Sequence, residues 1–260
     1  MDGSAWQQDV VFIGDIHRQW RYVVQGLAAA TRRPRVAVLL GDMECDQPLD
    51  VVAAPLLDAG IAVHWIWGNH DYDGGPEMWS NLADAARNPR TCGGAMNGRV
   101  VDIGGLRVAG LGGTFRRRIW EPPELPRLRH REELADDIAT LGPEWTEAQR
   151  RGMADALAAM AIWPEDVDAL YAESADILVT HEAPSSHPQG FAMIDAIARR
   201  IGARLIIHGH HHVCYRARAE DGLHVQGVGA GWAVGLNGQP WWSGEADRWL
   251  GAPPTGWSHL

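Results

Sequence analysis

The sequence predicts an α/β fold (α+β in some schemes), arranged as a four-layer α/β/β/α sandwich of two mixed sheets flanked by helices. Five short apolar runs, each ending in glycine or a polar cluster, indicate strands that are buried on both faces. Helical patterns separate the first three runs, which is typical of parallel strands joined by right-handed crossovers. The runs are DVVFIGD (9–15), RVAVLLGD (35–42), IAVHWIWGNHD (61–71), ADILVTHE (175–182) and ARLIIHGHHH (203–212).

The helical segments follow the first three runs in order. The second of them begins near Pro48 and ends at Gly60, which are common helix start and stop residues. Two glycine-rich β stretches, residues 98–115 and 222–235, add an antiparallel portion, and Gly104-Gly105 in the former predicts a hairpin. The helical segments are WRYVVQGLAAATRR (20–33), PLDVVAAPLLDAG (48–60) and PEMWSNLADAARN (76–88).

Residues 116–174 interrupt this pattern with three further helical segments, at 131–142, 146–161 and 164–174. Thr146 and Gln149 have the spacing of a capping box. We therefore treat residues 1–260 as one domain with a helical insertion at 116–174. The insertion is either a cap over the functional site or ordinary packing on the flank of the sandwich.

Composition excludes several classes of protein. The formal net charge of −10 argues against broad nucleic-acid affinity, although arginine runs at 115–120 and 127–131 leave a nucleic-acid partner open. No apolar stretch approaches the ~20 residues of a membrane span, and the N-terminus lacks a secretory pattern. Three widely spaced cysteines form no disulfide framework. We expect a cytoplasmic protein with no membrane partner.

All five apolar runs end in potential metal ligands. Binding sites in α/β folds lie beyond the carboxyl ends of strands, so these donors should converge on one rim. Alone, each has an ordinary explanation as a turn former or a hydrogen-bonded loop histidine, but five such strand ends together indicate a metal site. The donors are Asp15, His17, Asp42, Asn69, His181, His210 and His212.

The number and type of donors indicate two ions. Seven ligands exceed what one tetrahedral ion needs, and they suit two ions that share a carboxylate. Imidazole, carboxylate and amide donors together fit two divalent cations of Mn, Fe, Zn, Co or Ni, and among these we expect Mn²⁺. Two ions ~3.5–4 Å apart form a clamp for phosphoryl transfer.

Spacing separates the histidines of the last run. Residues two apart in extended chain point to the same side, as Asp15 and His17 would, and also His210 and His212. His211 between them should then point away and not be a ligand. His208 lies deeper in the strand, and we expect it to be packed behind the site.

The motifs GDIH (14–17), GDMEC (41–45), GNHD (68–71), THE (180–182) and GHHH (209–212), in this order, resemble the five blocks of the calcineurin-like metallophosphoesterase family. The resemblance implies that Asp42 bridges two ions. It implies that His70 faces the substrate and assists the leaving oxygen, and that Asp71 orients His70. The other implied ligands are Asp15, His17 and His212 for one ion, and Asn69, His181 and His210 for the other.

The implied activity is dinuclear-metal-dependent hydrolysis of a phosphoric ester, either a monoester or a diester, by a metal-bridging hydroxide; nucleotides are among the candidate substrates. The sequence ECDQP (44–48) and the motif GNHD differ from the family's protein phosphatases, which argues against that subgroup. The alternatives are a nuclease acting on DNA or RNA and a catalytically silent metal-binding scaffold. The scaffold is disfavoured because every implied ligand is present.

Two residues near the motifs are candidate substrate contacts. Arg18 stands where the symmetrical dinucleoside tetraphosphatases usually have glycine; it either approaches a phosphate or begins the following helix. His187, in HEAPSSHP (181–188), is the second candidate. The alternative for this segment is that Ser185 or Ser186 caps the helix that follows.

Overall fold

Two sheets form the framework of the protein, whose computed structural model describes residues 9–245. In chain order the strands are β1 (Val10–Ile13), β2 (Val36–Leu39), β3 (Ala62–Trp65), β4 (Arg99–Ile103), β5 (Leu106–Leu111), β6 (Ile177–Thr180), β7 (Leu205–His208), β8 (Tyr215–Arg218), β9 (His224–Gly227), β10 (Ala233–Gly235) and β11 (Pro240–Trp242). The helices are α1 (Arg21–Ala29), α2 (Leu49–Val52), α3 (Ala54–Leu57), α4 (Pro76–Ala83), α5 (Leu134–Ala139), α6 (Glu147–Met160), α7 (Pro164–Tyr171) and α8 (Ala192–Ile201).

Both sheets are mixed, as predicted. The first has the order β11-β10-β1-β2-β3. In it β1, β2 and β3 are parallel to one another, and β10 is antiparallel to both of its neighbours, β1 and β11. The second has the order β4-β5-β6-β7-β9-β8, in which β5, β6, β7 and β9 are parallel and the edge strands β4 and β8 antiparallel. The predicted hairpin at Gly104-Gly105 joins β4 and β5.

Alternation along the strands builds the four layers. In β1, Val10 and Phe12 belong to the buried cluster between the sheets, together with Val179 of β6. The intervening Val11 and Ile13 belong to the outer cluster that the first helices cover. Because successive side chains of a strand point to opposite faces, each sheet is buried on both sides. The predicted α/β/β/α sandwich is confirmed.

The region between β5 and β6 contains the three predicted helices, α5, α6 and α7. Ile138, Trp163 and Leu170 from this region share a buried cluster with Ile197 of α8, on the outer face of the second sheet. The capping box also forms, since the Thr146 side chain accepts from Gln149 N and Gln149 Oε1 accepts from Thr146 N. These helices therefore pack on the flank of the sandwich.

Two local predictions were wrong. The helix expected over residues 48–60 is two short helices, α2 and α3, separated at Ala53, whose backbone is not helical. No serine caps α8, which begins at Ala192 with Phe191 before it. Ser185 instead bonds to the Asp195 carboxylate through its backbone N–H (2.7 Å) and its hydroxyl (3.0 Å).

Within residues 9–245, none of the helices has the length and apolar character needed to cross a membrane.

Candidate metal centre

The loops after β1, β2, β3, β6 and β7 meet at one rim and bring all seven predicted ligands together. Ligand atoms of Asp15, His17, Asp42 and His212 lie within 4.8 Å of one another. Those of Asp42, His181 and His210 form a second group by the same measure, so Asp42 belongs to both. Asn69 adjoins the second group, with its Oδ1 atom 3.1 Å from His181 Nε2.

The backbone at this rim is strained. Seven non-glycine residues in the described part of the chain have positive φ, between 24° and 70°, and all of them lie in three of these loops. A left-handed backbone costs an L-residue roughly 1–2 kcal/mol, and such residues cluster at functional sites. They are Asp15, His17, Arg18, Asp42, Glu44, His210 and His212.

The side chains therefore converge through left-handed turns. The extended chain expected at these positions is not observed, because Asp15 and His17 have φ values of 24° and 45°, and His210 and His212 of 70° and 57°. His211 does not turn away from the site, since its ring centroid lies 4.5 Å from that of His210. His208 is packed as predicted, with Nε2 bonded to the Tyr215 hydroxyl at 2.8 Å.

Asp71 ties two of the loops together. Its buried carboxylate accepts hydrogen bonds from the backbone N–H groups of Asp42 (3.0 Å), Glu44 (2.8 Å) and Gly68 (2.8 Å). Gly68 is required for close approach, because a Cβ atom there would lie 2.1 Å from Asp42 Oδ1. The Asp71 carboxylate is thus occupied by main-chain donors of the β2 and β3 loops.

The structure corrects the implied partner of His70. Its Nδ1 atom lies 2.5 Å from Asp73 Oδ2, and Asp71 makes no bond to the ring. The side chain is 45% exposed and lies at the mouth of the site, with its ring centroid 5.5 Å from that of His17. Burial alone would lower the pKa of His70, but the hydrogen bond to Asp73 and the charge of Asp42 raise it.

Two buried carboxylate oxygens at the rim make no hydrogen bond, although Asp42 Oδ2 lies 3.3 Å from His181 Nε2. Asp15 Oδ1 accepts from His210 N at 2.9 Å and Asp42 Oδ1 from His70 N at 2.8 Å, whereas Oδ2 of each aspartate makes no hydrogen bond. Leaving a buried acceptor unsatisfied costs ~1–3 kcal/mol. A cation bound by these carboxylates would offset this cost.

The histidines are oriented to offer lone pairs to such a cation. His181 Nδ1 lies 2.8 Å from the Leu40 carbonyl, which can only accept, so Nδ1 carries the proton and Nε2 points to the centre, 3.3 Å from Asp42 Oδ2. His17 Nδ1 likewise faces Glu44 Oε1 at 2.5 Å, and its Nε2 lies 2.8 Å from His212 Nε2. Outer partners of this kind fix metal-ligating histidines. The residues fit two divalent cations.

Burial and neighbouring charges shift the pKa values of the residues at the rim. Burial raises the pKa of Asp15 to about 7, even though the neighbouring His181 opposes the shift. Burial disfavours charge on His181 as well, but Asp42 and Asp15 raise its pKa to about 10. Without a metal, a proton on His181 neutralises part of the aspartate charge. Ligation needs neutral imidazole, so a cation would displace this proton.

The two candidate substrate contacts differ in exposure. Arg18 is half exposed, and its Nε atom lies 3.1 Å from Glu44 Oε2 and 3.3 Å from Asp46 Oδ2. His187 is buried, and its ring stacks on that of His211 with 3.8 Å between centroids. Arg18 therefore adjoins the first ligand group through Glu44, and His187 adjoins the second through His211.

Comparisons with known proteins agree with this geometry. The family described as calcineurin-like phosphoesterase matches residues 9–214. An uncharacterized protein of Haemophilus influenzae is 31% identical over 226 residues, which are 85% of this chain and 90% of that protein.

Two solved structures show the same fold. A dimetal phosphatase from Danio rerio superimposes with a TM-score of 0.54 at 14% identity, covering 87% of this chain and 92% of that one. The protein TT1561 of Thermus thermophilus gives a TM-score of 0.53 at 15% identity, covering 88% and 94%. The chain belongs to the calcineurin-like phosphoesterase family and is a metal-dependent hydrolase of phosphoric esters.

Proposed function

We propose that the protein hydrolyses a phosphoric monoester or diester at a dinuclear metal centre bridged by Asp42. The observation that carries this proposal is the membership of Asp42 in both ligand groups, with its Oδ2 atom buried and without a hydrogen bond. The Danio rerio structural neighbour is a dimetal phosphatase, which is consistent with a two-ion centre.

The donor set suggests which ions bind. Asp15, His17 and His212 would hold one ion with Asp42. Asn69, His181 and His210 would hold the other. Mixed nitrogen and oxygen donors suit Mn²⁺, our first choice, and also Fe, Zn, Co or Ni. When bound, such ions would lower the pKa of a coordinated water and neutralise charge on the phosphate oxygens.

His70 is the proposed acid for the leaving group. Its Nδ1–H donates to Asp73, which leaves Nε2 to give a proton to the departing alkoxide. Its raised pKa favours the protonated ring that this step needs. Asp73, rather than Asp71, would orient the ring. Asp71 would hold the loops after β2 and β3 together through its bonds to their backbone N–H groups.

Substrate contacts are proposed at two places. The Arg18 guanidinium is partly exposed beside the first ligand group and would bind a phosphate oxygen. His187, the other candidate substrate contact, lies next to the second ligand group through His211. We further propose that the chain is a single domain with residues 116–174 inserted, and that it works in the cytoplasm.

The test is a side-by-side assay of Mn-loaded protein with p-nitrophenyl phosphate, bis-p-nitrophenyl phosphate, cyclic nucleotides and single-stranded DNA. We expect hydrolysis of at least one of the small esters, lost on chelation and restored by Mn²⁺. Hydrolysis of DNA alone, falling steeply with salt, would favour a nuclease. No turnover of any substrate by protein that holds two ions would overturn the proposal.

A further inference from the structure

A third group of metal-ligating side chains lies beside the two groups of the proposed dinuclear centre. Ligand atoms of Glu182, His210 and His211 lie within 4.8 Å of one another. Neither Glu182 nor His211 belongs to the two ligand sets of the dinuclear centre. We propose that these three residues form an additional binding position for a divalent cation.

Burial and hydrogen bonding make Glu182 a suitable ligand. Its side chain is 3% exposed, and each oxygen accepts one backbone N–H, from Ala183 (3.0 Å) and Phe115 (3.3 Å). Among the described residues, no basic side chain forms an ion pair with it. These amides fix the carboxylate in place and leave lone pairs on both oxygens for a cation.

His211 resembles the aspartates of the main centre in one respect. Its Nε2 atom is buried without a hydrogen-bond partner, as are Oδ2 of Asp15 and of Asp42. A neutral imidazole has one lone pair, which this buried nitrogen can offer to a metal. Two imidazoles and one carboxylate, with positions left open, match the ligand set of many exchangeable metal sites.

His187 supports this position but is not a ligand to it. Its ring lies parallel to that of His211, at 9° between planes, and holds that ring in place. His187 Nδ1 accepts from the backbone N–H of Gln189 at 3.2 Å, so the lone pair is on Nδ1 and the proton on Nε2. A nitrogen that carries a proton cannot bind a metal.

His210 limits the affinity of the additional position. A neutral imidazole has one lone pair, and His210 also belongs to the group around Asp42. Once the main centre is filled, the further cation would rely on Glu182, His211 and water. We therefore expect it to bind third and more weakly than the first two ions.

The test is equilibrium dialysis of metal-free protein against increasing Mn²⁺, with bound metal measured by mass spectrometry and Co²⁺ absorption recorded in parallel. Wild-type protein should bind two equivalents and then a weaker third. Both His211→Ala and Glu182→Gln should keep the first two. Each variant should weaken binding of the third equivalent by more than the ~10–100-fold loss of affinity that removal of an outer partner usually causes.

His130→Ala is the matched control, because it removes an exposed histidine of the flank, and it should retain all three equivalents. Circular dichroism would check that each variant is folded, and Glu182→Gln keeps the shape of the side chain should His211→Ala fail to fold. Saturation of wild type at two equivalents, or a third equivalent unchanged in both variants, would overturn the additional site and leave the dinuclear centre intact. Fewer than two equivalents in wild type would instead contradict the proposed function.

Discussion

At the metal rim, two carboxylate oxygens are buried without hydrogen bonds and non-glycine residues adopt left-handed backbone. In the region between β5 and β6, several charged groups form ion pairs with good geometry. Arg131 bonds Glu165 at 2.5 Å and Asp166 at 2.6 Å, and Arg118 pairs with Asp137. No described residue of α5, α6 or α7 has positive φ, and the capping box of α6 is complete.

The difference shows which region of this chain is destabilised and which is stabilised. Strain and unsatisfied polar atoms at the rim lower the stability of the metal-free protein, and a bound cation would offset them. The paired charges of the flank stabilise the sandwich. Changes at the rim should therefore alter metal binding and turnover, whereas changes in the flank should alter unfolding alone.

The largest effect is expected for Asp42→Ala. Loss of the shared carboxylate should weaken binding of both ions by at least the ~100-fold that loss of an outer partner can cause, because Asp42 would contact the metals directly. Turnover should fall to background. Metal content by mass spectrometry and hydrolysis of p-nitrophenyl phosphate measure the two effects. Asp42→Asn, which keeps an acceptor for His70 N, is the control for loop structure, and full occupancy by two ions in Asp42→Ala would refute the bridging role.

His70→Ala should affect turnover but not metal content. We expect kcat to fall ~10²–10⁴-fold, the usual contribution of a general acid. The loss should be greater for phenyl phosphate than for p-nitrophenyl phosphate, since the poorer leaving group needs the proton more. Asp73→Asn should show the same trend to a smaller extent. Equal losses for both esters would argue that His70 only positions substrate.

Glu44→Gln should distinguish the two ligand groups of the rim. Glu44 would orient His17 of the first ligand group and has no counterpart in the second, where Leu40 O holds His181. We expect one of two ions to bind ~10–100-fold more weakly while the other is unchanged. Titration of metal-free protein with Co²⁺ would separate the two. Equal weakening of both would mean that Glu44 acts on the whole rim rather than on His17.

The convergence of the ligands could be predicted from sequence because it depends on strand ends, and strand ends depend on apolar runs that the sequence displays. The orientation of each side chain could not. Left-handed φ at Asp15, His17, His210 and His212 is imposed by contacts between distant loops, such as the bond from His210 N to Asp15. The spacing of residues along the sequence does not indicate such contacts.

The partner of His70 was missed for a related reason. Asp71 and Asp73 are both close in sequence, and only the fold shows that three main-chain amides occupy Asp71. The segment after β6, which contains Glu182, is fixed to α8 through Ser185 and Asp195. A serine expected to cap that helix gave no indication of this bond.

The smallest effect is expected in the flank, from Glu165→Gln. Burial opposes ionisation of Glu165, but hydrogen bonds from Arg131 and His130 lower its pKa below the ordinary 4.5. A carboxyl with a depressed pKa contributes stability that is present above pH 4.5 and is lost as pH falls through the folded-state pKa. The pair is about 30% exposed, so we expect the variant to lose ~1 kcal/mol of unfolding free energy at pH 7.

The loss should shrink as pH is lowered below 4.5, where the wild-type carboxyl also becomes neutral. Urea unfolding of metal-free protein at pH 7 and pH 4 measures it, with Glu173→Gln, in the exposed pair with Arg107, as the control for a surface charge. Turnover at pH 7 should not change, because Glu165 contacts neither ligand group. A change in kcat with unchanged stability would mean that the flank acts on the rim, and the contrast between the two regions would fail.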